Sequence, residues 1–561
     1  MNEIHNLFDQ RVPMRDGVTL SADVYLPAGD GPHPAILQRT PYDNTVPLWT
    51  GIAKYFAARG YAFVSQDVRG RCDSDGQWEP FVNEAEDGFD TVEWVAAQPW
   101  CDGQVAMMGG SYGGLVQWLA AREGPPHLKT MVSTAAAGRI MEELPWHFGK
   151  VMPPWAMWWL NMVGGRGVQP NTIPDWGPVI RARPARDADL ALGRLNTVWR
   201  KWLSHPTYDD YWRRMSMLDR FAQVDLPVLH ITGWFDGDQW GQLFYWREMA
   251  RCSPAAARQY LLSGPWDHAG TRTPQPRHGG LEFGGHAVPD MNAVHLQWFD
   301  YWLKGQGGAP VDFAPGARVR IFLMGENRWR DDPTWPPPQS AAVPFYFHSG
   351  GAANTLGGDG RLDEAAPGAD EPPDRYTYNP EDPTPSSQEP YDYPGGPEVL
   401  DRRWLLRRDD VAVYTSAPLE EPLELAGHPF VVVHACTDVP DTDFAATLFD
   451  VHPDGRSVAL ADGIMRACYR EDAGRPSAEP LRPGEPFTCR IELLATANVF
   501  LPGHRIRVAV MSARWPAYDR NPNTGAPVGE DGETRLAHQV ILHDAAHPSH
   551  LLAPVRRQGR A

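Results

Sequence analysis

The run Val105-Ala106-Met107-Met108-Gly109-Gly110-Ser111-Tyr112-Gly113-Gly114-Leu115 decides how the rest of the chain is read. A short apolar stretch ends in two glycines, a serine follows, and beyond two further glycines Leu115 to Ala121 has the make-up of a helix start. This is a G-x-S-x-G set between a strand and a helix. A serine on so sharp a turn sits in a strained backbone conformation, and glycines two residues to either side let neighbouring chain pass where a Cβ would collide. Ser111 is therefore the candidate nucleophile, against the plainer reading of a tight structural turn.

Working outward, Pro34 to Leu37, Ala62 to Gln66 and Gln104 to Met108 are short apolar runs separated by helix-like stretches at Gly51 to Arg59 and Gly88 to Ala97. Strand alternating with helix predicts a parallel sheet. Val18 to Leu26 alternates as an antiparallel strand would. Strand candidates resume much later, at Pro227 to Thr232, Gln259 to Leu262 and Val319 to Met324. Between them apolar residues recur at helical spacing, which predicts a helical insertion over 139–222 and splits the sheet domain into 1–138 and 223–340. The insertion holds eight of the chain's 23 tryptophans in 84 of 561 residues, more than twice an even share. Such bulk either fills a small helical core or lines a pocket where two domains meet. After a proline-rich linker, 341–561 reads as many short strands with turn signals, a β-sandwich.

A serine hydroxyl is a weak nucleophile at neutral pH; it needs a histidine base, and the histidine needs a carboxylate to fix its tautomer. In this elbow arrangement the order is Ser, Asp or Glu, His. Asp236 follows the strand ending in Ile231-Thr232, within Gly233-Trp234-Phe235-Asp236-Gly237, and His268 follows another within Gly264-Pro265-Trp266-Asp267-His268. Both fall at the carboxyl edge of the expected sheet, as Ser111 does. His230 lies inside a strand, His147 in the insertion, and His278 and His286 in a glycine-rich loop; Asp238 and Asp267 are the neighbouring alternatives to Asp236. An oxyanion hole is also required. The backbone N–H of Tyr112 supplies one donor, and the phenol of Tyr42 is the candidate for the second, because Pro41 beside it has no N–H to offer.

The chain resembles the bacterial cocaine esterase and X-prolyl dipeptidyl-peptidase family of serine hydrolases, which also contains the α-amino acid ester hydrolases. The matching pieces are VPMRDGVTLSADVYLP at 12–27, RTPYD at 39–43, DVRGR at 67–71, GGSYGG at 109–114, GWFDG at 233–237, GPWDH at 264–268 and MGENRWRDDPTWP at 324–336. The resemblance implies an α/β-hydrolase domain interrupted by a helical cap and followed by a jelly-roll β-sandwich. It implies Ser111 as nucleophile, His268 as base and acid and Asp236 as its orienter, and it gives Tyr42 the role of donating its hydroxyl to the oxyanion.

Within that family an X-prolyl peptidase would be expected to carry an extra N-terminal region and an acidic grip for a substrate ammonium, whereas here the catalytic fold starts almost at residue 1. The amino acid ester hydrolases use a carboxylate cluster; Asp238 and Glu142 or Glu143 could fill part of it, but Gln239 stands where a further acid is expected. The reading that remains is a serine esterase for a bulky or aromatic acyl group, with Trp146, Trp155, Trp159, Trp234, Trp266 and Asp238 as candidate substrate contacts. Acyl transfer by the same residues is the alternative, and a carbohydrate-binding protein with a vestigial triad is the competing class, since jelly rolls also occur in lectins.

The formal charge of −19 makes nucleic acid and anionic membrane surfaces poor partners, leaving a small-molecule ester as the expected one. The six scattered cysteines and the absence of a signal-like N-terminus fit the cytoplasm. No phosphate loop, dinucleotide fingerprint or metal-ligand spacing appears, so neither cofactor nor metal is expected. Oligomeric state is open, a homo-oligomer included.

Overall fold

In the computed structural model, which describes residues 4–29, 31–169, 175–388, 399–470 and 479–556, the run ending at Ser111 lies near the middle of a ten-stranded sheet. Its strands are β1 (His5–Pro13), β2 (Thr19–Leu26), β3 (His33–Thr40), β4 (Ala62–Asp67), β5 (Cys101–Gly110), β6 (Leu128–Thr134), β9 (Val228–Phe235), β10 (Gln259–Asp267), β13 (Val319–Leu323) and β14 (Arg328–Asp332). Their spatial order is β1-β2-β4-β3-β5-β6-β9-β10-β13-β14. From β4 to β13 all neighbours run parallel, and β1, β2 and β14 are antiparallel additions at the edges.

The apolar runs are continuous because both faces of a parallel sheet are covered. In β5, Val105 and Met107 join a core with α2 (Glu84–Ala96), α3 (Tyr112–Arg122) and α8 (Gln239–Cys252). Ala106 and Met108 point the other way, toward α1 (Pro47–Ala57) and α9 (Met291–Lys304). The period of two thus sorts one strand between two cores. β1 and β14 were not expected from the sequence; β1 is mostly exposed and lacks the apolar alternation that betrays β2.

Between β6 and β9 the chain forms a two-residue hairpin, β7 (Trp146–His147) with β8 (Lys150–Val151), and the short helices α4 (Pro153–Val163), α5 (Gly177–Arg181), α6 (Thr197–Leu203) and α7 (Asp210–Arg213). Beyond β14, thirteen strands among the described residues, from β15 (Ser340–His348) to β27 (His550–Arg556), make an all-β unit. This unit is bonded to the rest at buried points. Met324 exchanges backbone hydrogen bonds with Ala497 and Val499. The Lys150 ammonium, without access to water, lies 2.6 Å from Asp443 and 3.1 Å from Asp519. Desolvation works against that charge, but the two carboxylates outweigh it and hold the lysine protonated. None of the six cysteines is paired, and among the described residues no helix is long and apolar enough to cross a membrane.

Candidate active site

Ser111 is the single residue between β5 and α3, with φ 61° and ψ −125°, a conformation that costs a side-chain-bearing residue about 1–3 kcal/mol. The flanking glycines are steric necessities. A Cβ on Gly109 would come within 2.8 Å of the Gly113 carbonyl oxygen, and one on Gly114 within 2.8 Å of the Thr134 carbonyl oxygen. Gln117, buried in α3, donates to the carbonyls of Gly109 (3.2 Å) and Gly113 (2.8 Å) and ties the two sides of the turn together. The Tyr112 backbone N–H is one of the first donors of α3, which no carbonyl of its own helix can reach.

Asp236 follows β9 directly and is fully buried. It accepts three hydrogen bonds, from His268 Nδ1 (2.8 Å), the Thr232 hydroxyl (3.0 Å) and the Asp238 backbone N–H (3.0 Å). Burial would push this carboxyl up, but the adjoining His268 and these donors outweigh it and hold the group ionised. An ionised carboxylate only accepts, so Nδ1 of His268 carries a proton, and in the neutral ring Nε2 keeps the free lone pair. His268 itself follows β10, and the Asp238 carboxylate stands 3.7 Å from its Nδ1. Desolvation opposes protonation of the ring, yet the charges of Asp238 and Asp236 prevail and raise it above the ordinary histidine range. Asp238, desolvated and close to Asp236, is itself pushed up to about 6.

Tyr42 lies two residues past β3, with its phenol near enough to the Ser111 hydroxyl to be influenced by it. The phenol oxygen accepts from the indole N–H of Trp159 in α4, at 2.9 Å. An indole can only donate, so this bond turns the phenolic proton away from the cap. The loop carrying Tyr42 is pinned from beneath: the fully buried Arg71 donates to the Pro41 carbonyl (2.9 Å) and to the Val163 carbonyl at the end of α4 (2.5 Å). A second buried set supports the elbow. The Tyr112 hydroxyl donates to Glu84 (2.7 Å), Glu84 pairs with Arg39 (2.7 Å), and Arg39 donates to Gln66 (2.7 Å). The RTPYD and DVRGR stretches are thus partly scaffolding for Tyr42 and Tyr112.

The structure gathers Asp236 and Asp238 around His268, sets Tyr42 and the Tyr112 amide at the Ser111 elbow, and takes half of the expected substrate contacts away from the site. Trp146, Trp234 and Trp266 are at most 1% exposed. Their indoles donate to the carbonyls of Trp202, Phe322 and Ala287. They are packing residues, because a tryptophan on a strand or hairpin that faces a core is filled in from all sides. Trp155 is half-buried and stacks on Trp159 at 5.6 Å, while Trp159 reaches the site through Tyr42. Glu143 spends its carboxylate on the backbone N–H groups of Gly138, Arg139 and Gly241, Glu142 pairs with Arg139, and Gln239 is bonded to Ala495. Of the expected carboxylate cluster, Asp238 stands beside His268, next to Asp236. Arg272, which no motif marks, also enters the site: a Cβ on Gly110 would meet its Nη1 at 2.7 Å. In the all-β unit Asp450, His452 and His504 place possible metal-ligand atoms within 4.8 Å of one another. There His504 Nδ1 is already 2.7 Å from Asp450, and the Arg456 guanidinium approaches His452 Nδ1 at 3.3 Å.

Residues 16–270 match the X-Pro dipeptidyl-peptidase (S15 family) model, and residues 312–552 match that of the X-Pro dipeptidyl-peptidase C-terminal non-catalytic domain. The chain is 36% identical over 572 residues to a cocaine esterase from Rhodococcus sp. (strain MB1 Bresler), covering 97% of each. Among solved structures it superposes on an aminopeptidase from a marine sediment Thaumarchaeota archaeon with TM-score 0.86 and 28% identity, over 99% of this chain and 97% of that one. It also superposes on an α-amino acid ester hydrolase with TM-score 0.85 and 26% identity, over the same shares. With an α/β-hydrolase sheet, a serine elbow and these relatives, the chain belongs to the X-Pro dipeptidyl-peptidase (S15) family and is one of its serine ester hydrolases.

Proposed function

We propose that the chain hydrolyses carboxylic esters with a bulky or aromatic acyl group through an acyl-enzyme on Ser111. The observation that carries this is the serine elbow at Ser111 together with the hydrogen bond between His268 and the buried Asp236, with the Tyr42 phenol, oriented by Trp159, beside the elbow. His268 Nε2 takes the serine proton as Ser111 Oγ attacks the carbonyl carbon. The resulting oxyanion is met by the Tyr42 phenol and the Tyr112 amide, donors fixed before reaction. His268 then protonates the departing alcohol, and a water activated by the same nitrogen releases the acid and restores the serine. Trp155 and Trp78, both half-buried around Trp159, offer flat apolar faces for an aromatic acyl group.

The test is a fluorophosphonate probe followed by intact and peptide mass analysis, with a p-nitrophenyl ester series from acetyl to benzoyl. A single adduct on the peptide holding Ser111 and a preference for benzoyl support the reading; an adduct elsewhere, or none, overturns it. An α-aminoacyl ester belongs in the same panel, since Asp238 offers a carboxylate for an ammonium; preference for it would replace the aromatic assignment.

Tyr42→Phe removes an oxyanion donor and is expected to lower kcat about 10²- to 10³-fold with little change in KM. Trp159→Phe keeps the stacked ring but loses the N–H that orients the phenol, a loss of about tenfold that vanishes in the Tyr42→Phe background. Full additivity in that double-mutant cycle would show that Trp159 acts on substrate rather than on Tyr42. The acidic limb of kcat/KM should lie above the usual histidine value, because a base kept protonated to higher pH is idle there. Asp238→Asn removes the carboxylate that raises His268, so the limb moves to lower pH; a limb that stays put would disconnect Asp238 from the base.

A further inference from the structure

We infer that Arg272 forms a subsite for a carboxylate carried by the ester substrate, close to the scissile carbonyl; this rests on the serine-hydrolase reading of the site. Arg272 lies four residues beyond His268 in one turn, with its N–H bonded to the Ala269 carbonyl (3.1 Å) and the Thr271 hydroxyl on the His268 carbonyl (2.8 Å). The side chain runs across the residue before the nucleophile. A Cβ on Gly110 would come within 2.7 Å of its Nη1 and 2.8 Å of its Cδ, so glycine at 110 is what admits the guanidinium to the site.

Once there, the guanidinium is not consumed by the protein. Its Nη1 is buried and has no hydrogen-bond partner. The carboxylate that its charge reaches, Asp238, faces His268 instead, 3.7 Å from Nδ1. Lying across Gly110, next to the nucleophile, it is within a short substituent's reach of a carbonyl held at Ser111, and its positive charge is felt by Asp238, His268 and Tyr42. A buried donor without an acceptor is expensive, and proteins keep few of them. A planar guanidinium is also the group that matches a carboxylate's two oxygens. An anionic substituent would otherwise be disfavoured beside the oxyanion and Asp236; Arg272 supplies the countercharge that makes it acceptable.

The carboxylate could sit on the acyl chain or on the departing alcohol, and two ester pairs distinguish these. For the acyl side, p-nitrophenyl hydrogen glutarate is compared with p-nitrophenyl pentanoate; for the alcohol side, 3-acetoxybenzoate with phenyl acetate. In the wild type one pair should show higher kcat/KM for the charged member. Arg272→Met should lower that charged-to-neutral ratio about 10- to 100-fold, with part of it restored in Arg272→Lys. Neutral esters preferred in both pairs, or a ratio unmoved by Arg272→Met, would overturn the subsite while leaving ester hydrolysis standing. Absence of both turnover and serine labelling in the wild type would instead sink the hydrolase reading. Should the Met variant fail to fold, inhibition of the wild type by benzoate and by benzamide decides: stronger inhibition by benzoate that weakens with salt supports the subsite, and equal inhibition refutes it.

Discussion

Ser111→Ala is expected to fold like the wild type and to hydrolyse p-nitrophenyl esters with kcat lowered about 10⁴- to 10⁶-fold. The fold survives because the substitution leaves the turn as it is. Alanine at φ 61° bears much the same backbone strain as serine, and the ties that hold the turn come from Gln117 and from the Ser111 backbone N–H on the Thr134 carbonyl. The loss is large because His268 then has no hydroxyl to deprotonate, and the oxyanion donors alone account for only a residual rate. Near-equal melting temperatures, disappearance of the fluorophosphonate adduct and the kinetic loss should be seen in one preparation. An alanine variant that still takes up the probe, or that loses less than about tenfold, would place the nucleophile elsewhere.

What could be seen in the sequence was whatever lies within a few residues of a turn. The elbow is legible because strand, glycines, serine and helix are consecutive, and Asp236 and His268 because each ends an apolar run. The supporting residues are not, because their meaning is tertiary. Gln117 is eight residues from the glycine it holds, Arg39 and Glu84 are 45 apart, and Arg272 is recognisable only once β10 has carried it over Gly110. The tryptophans failed for a related reason. An excess in the cap was real, but Trp146, Trp199, Trp202 and Trp212 are at most 1% exposed, so the excess fills the interior of short helices and a hairpin more than it lines a pocket. Composition gives the amount of aromatic surface, and on elements of four to eleven residues it does not give the side on which that surface lies.

Asp236→Asn is expected to lower kcat about 10³- to 10⁴-fold while leaving KM and stability close to the wild type. The amide is isosteric, and its orientation is constrained. The Asp238 backbone N–H requires an oxygen on the His268 side, and the Thr232 hydroxyl can turn to accept from the amide NH₂ on the other. His268 therefore keeps a hydrogen-bond acceptor at Nδ1 and its working tautomer, and what disappears is the negative charge that stabilises the imidazolium formed as Ser111 attacks. The base should also lose part of its upward shift, so the residual activity has its acidic limb at lower pH. Asp238, 3.7 Å from the same nitrogen, is the natural rival for this role. Its carboxyl is pushed up to about 6, so it is partly protonated near neutrality, whereas Asp236 is held ionised by three donors. Asp238→Asn should accordingly move the pH profile with a far smaller loss in kcat, and the double variant should fall little below Asp236→Asn alone. If the two single variants lose equally, or Asp238→Asn loses more, the orienting carboxylate is Asp238 and the hydrogen bond from His268 to Asp236 is structural.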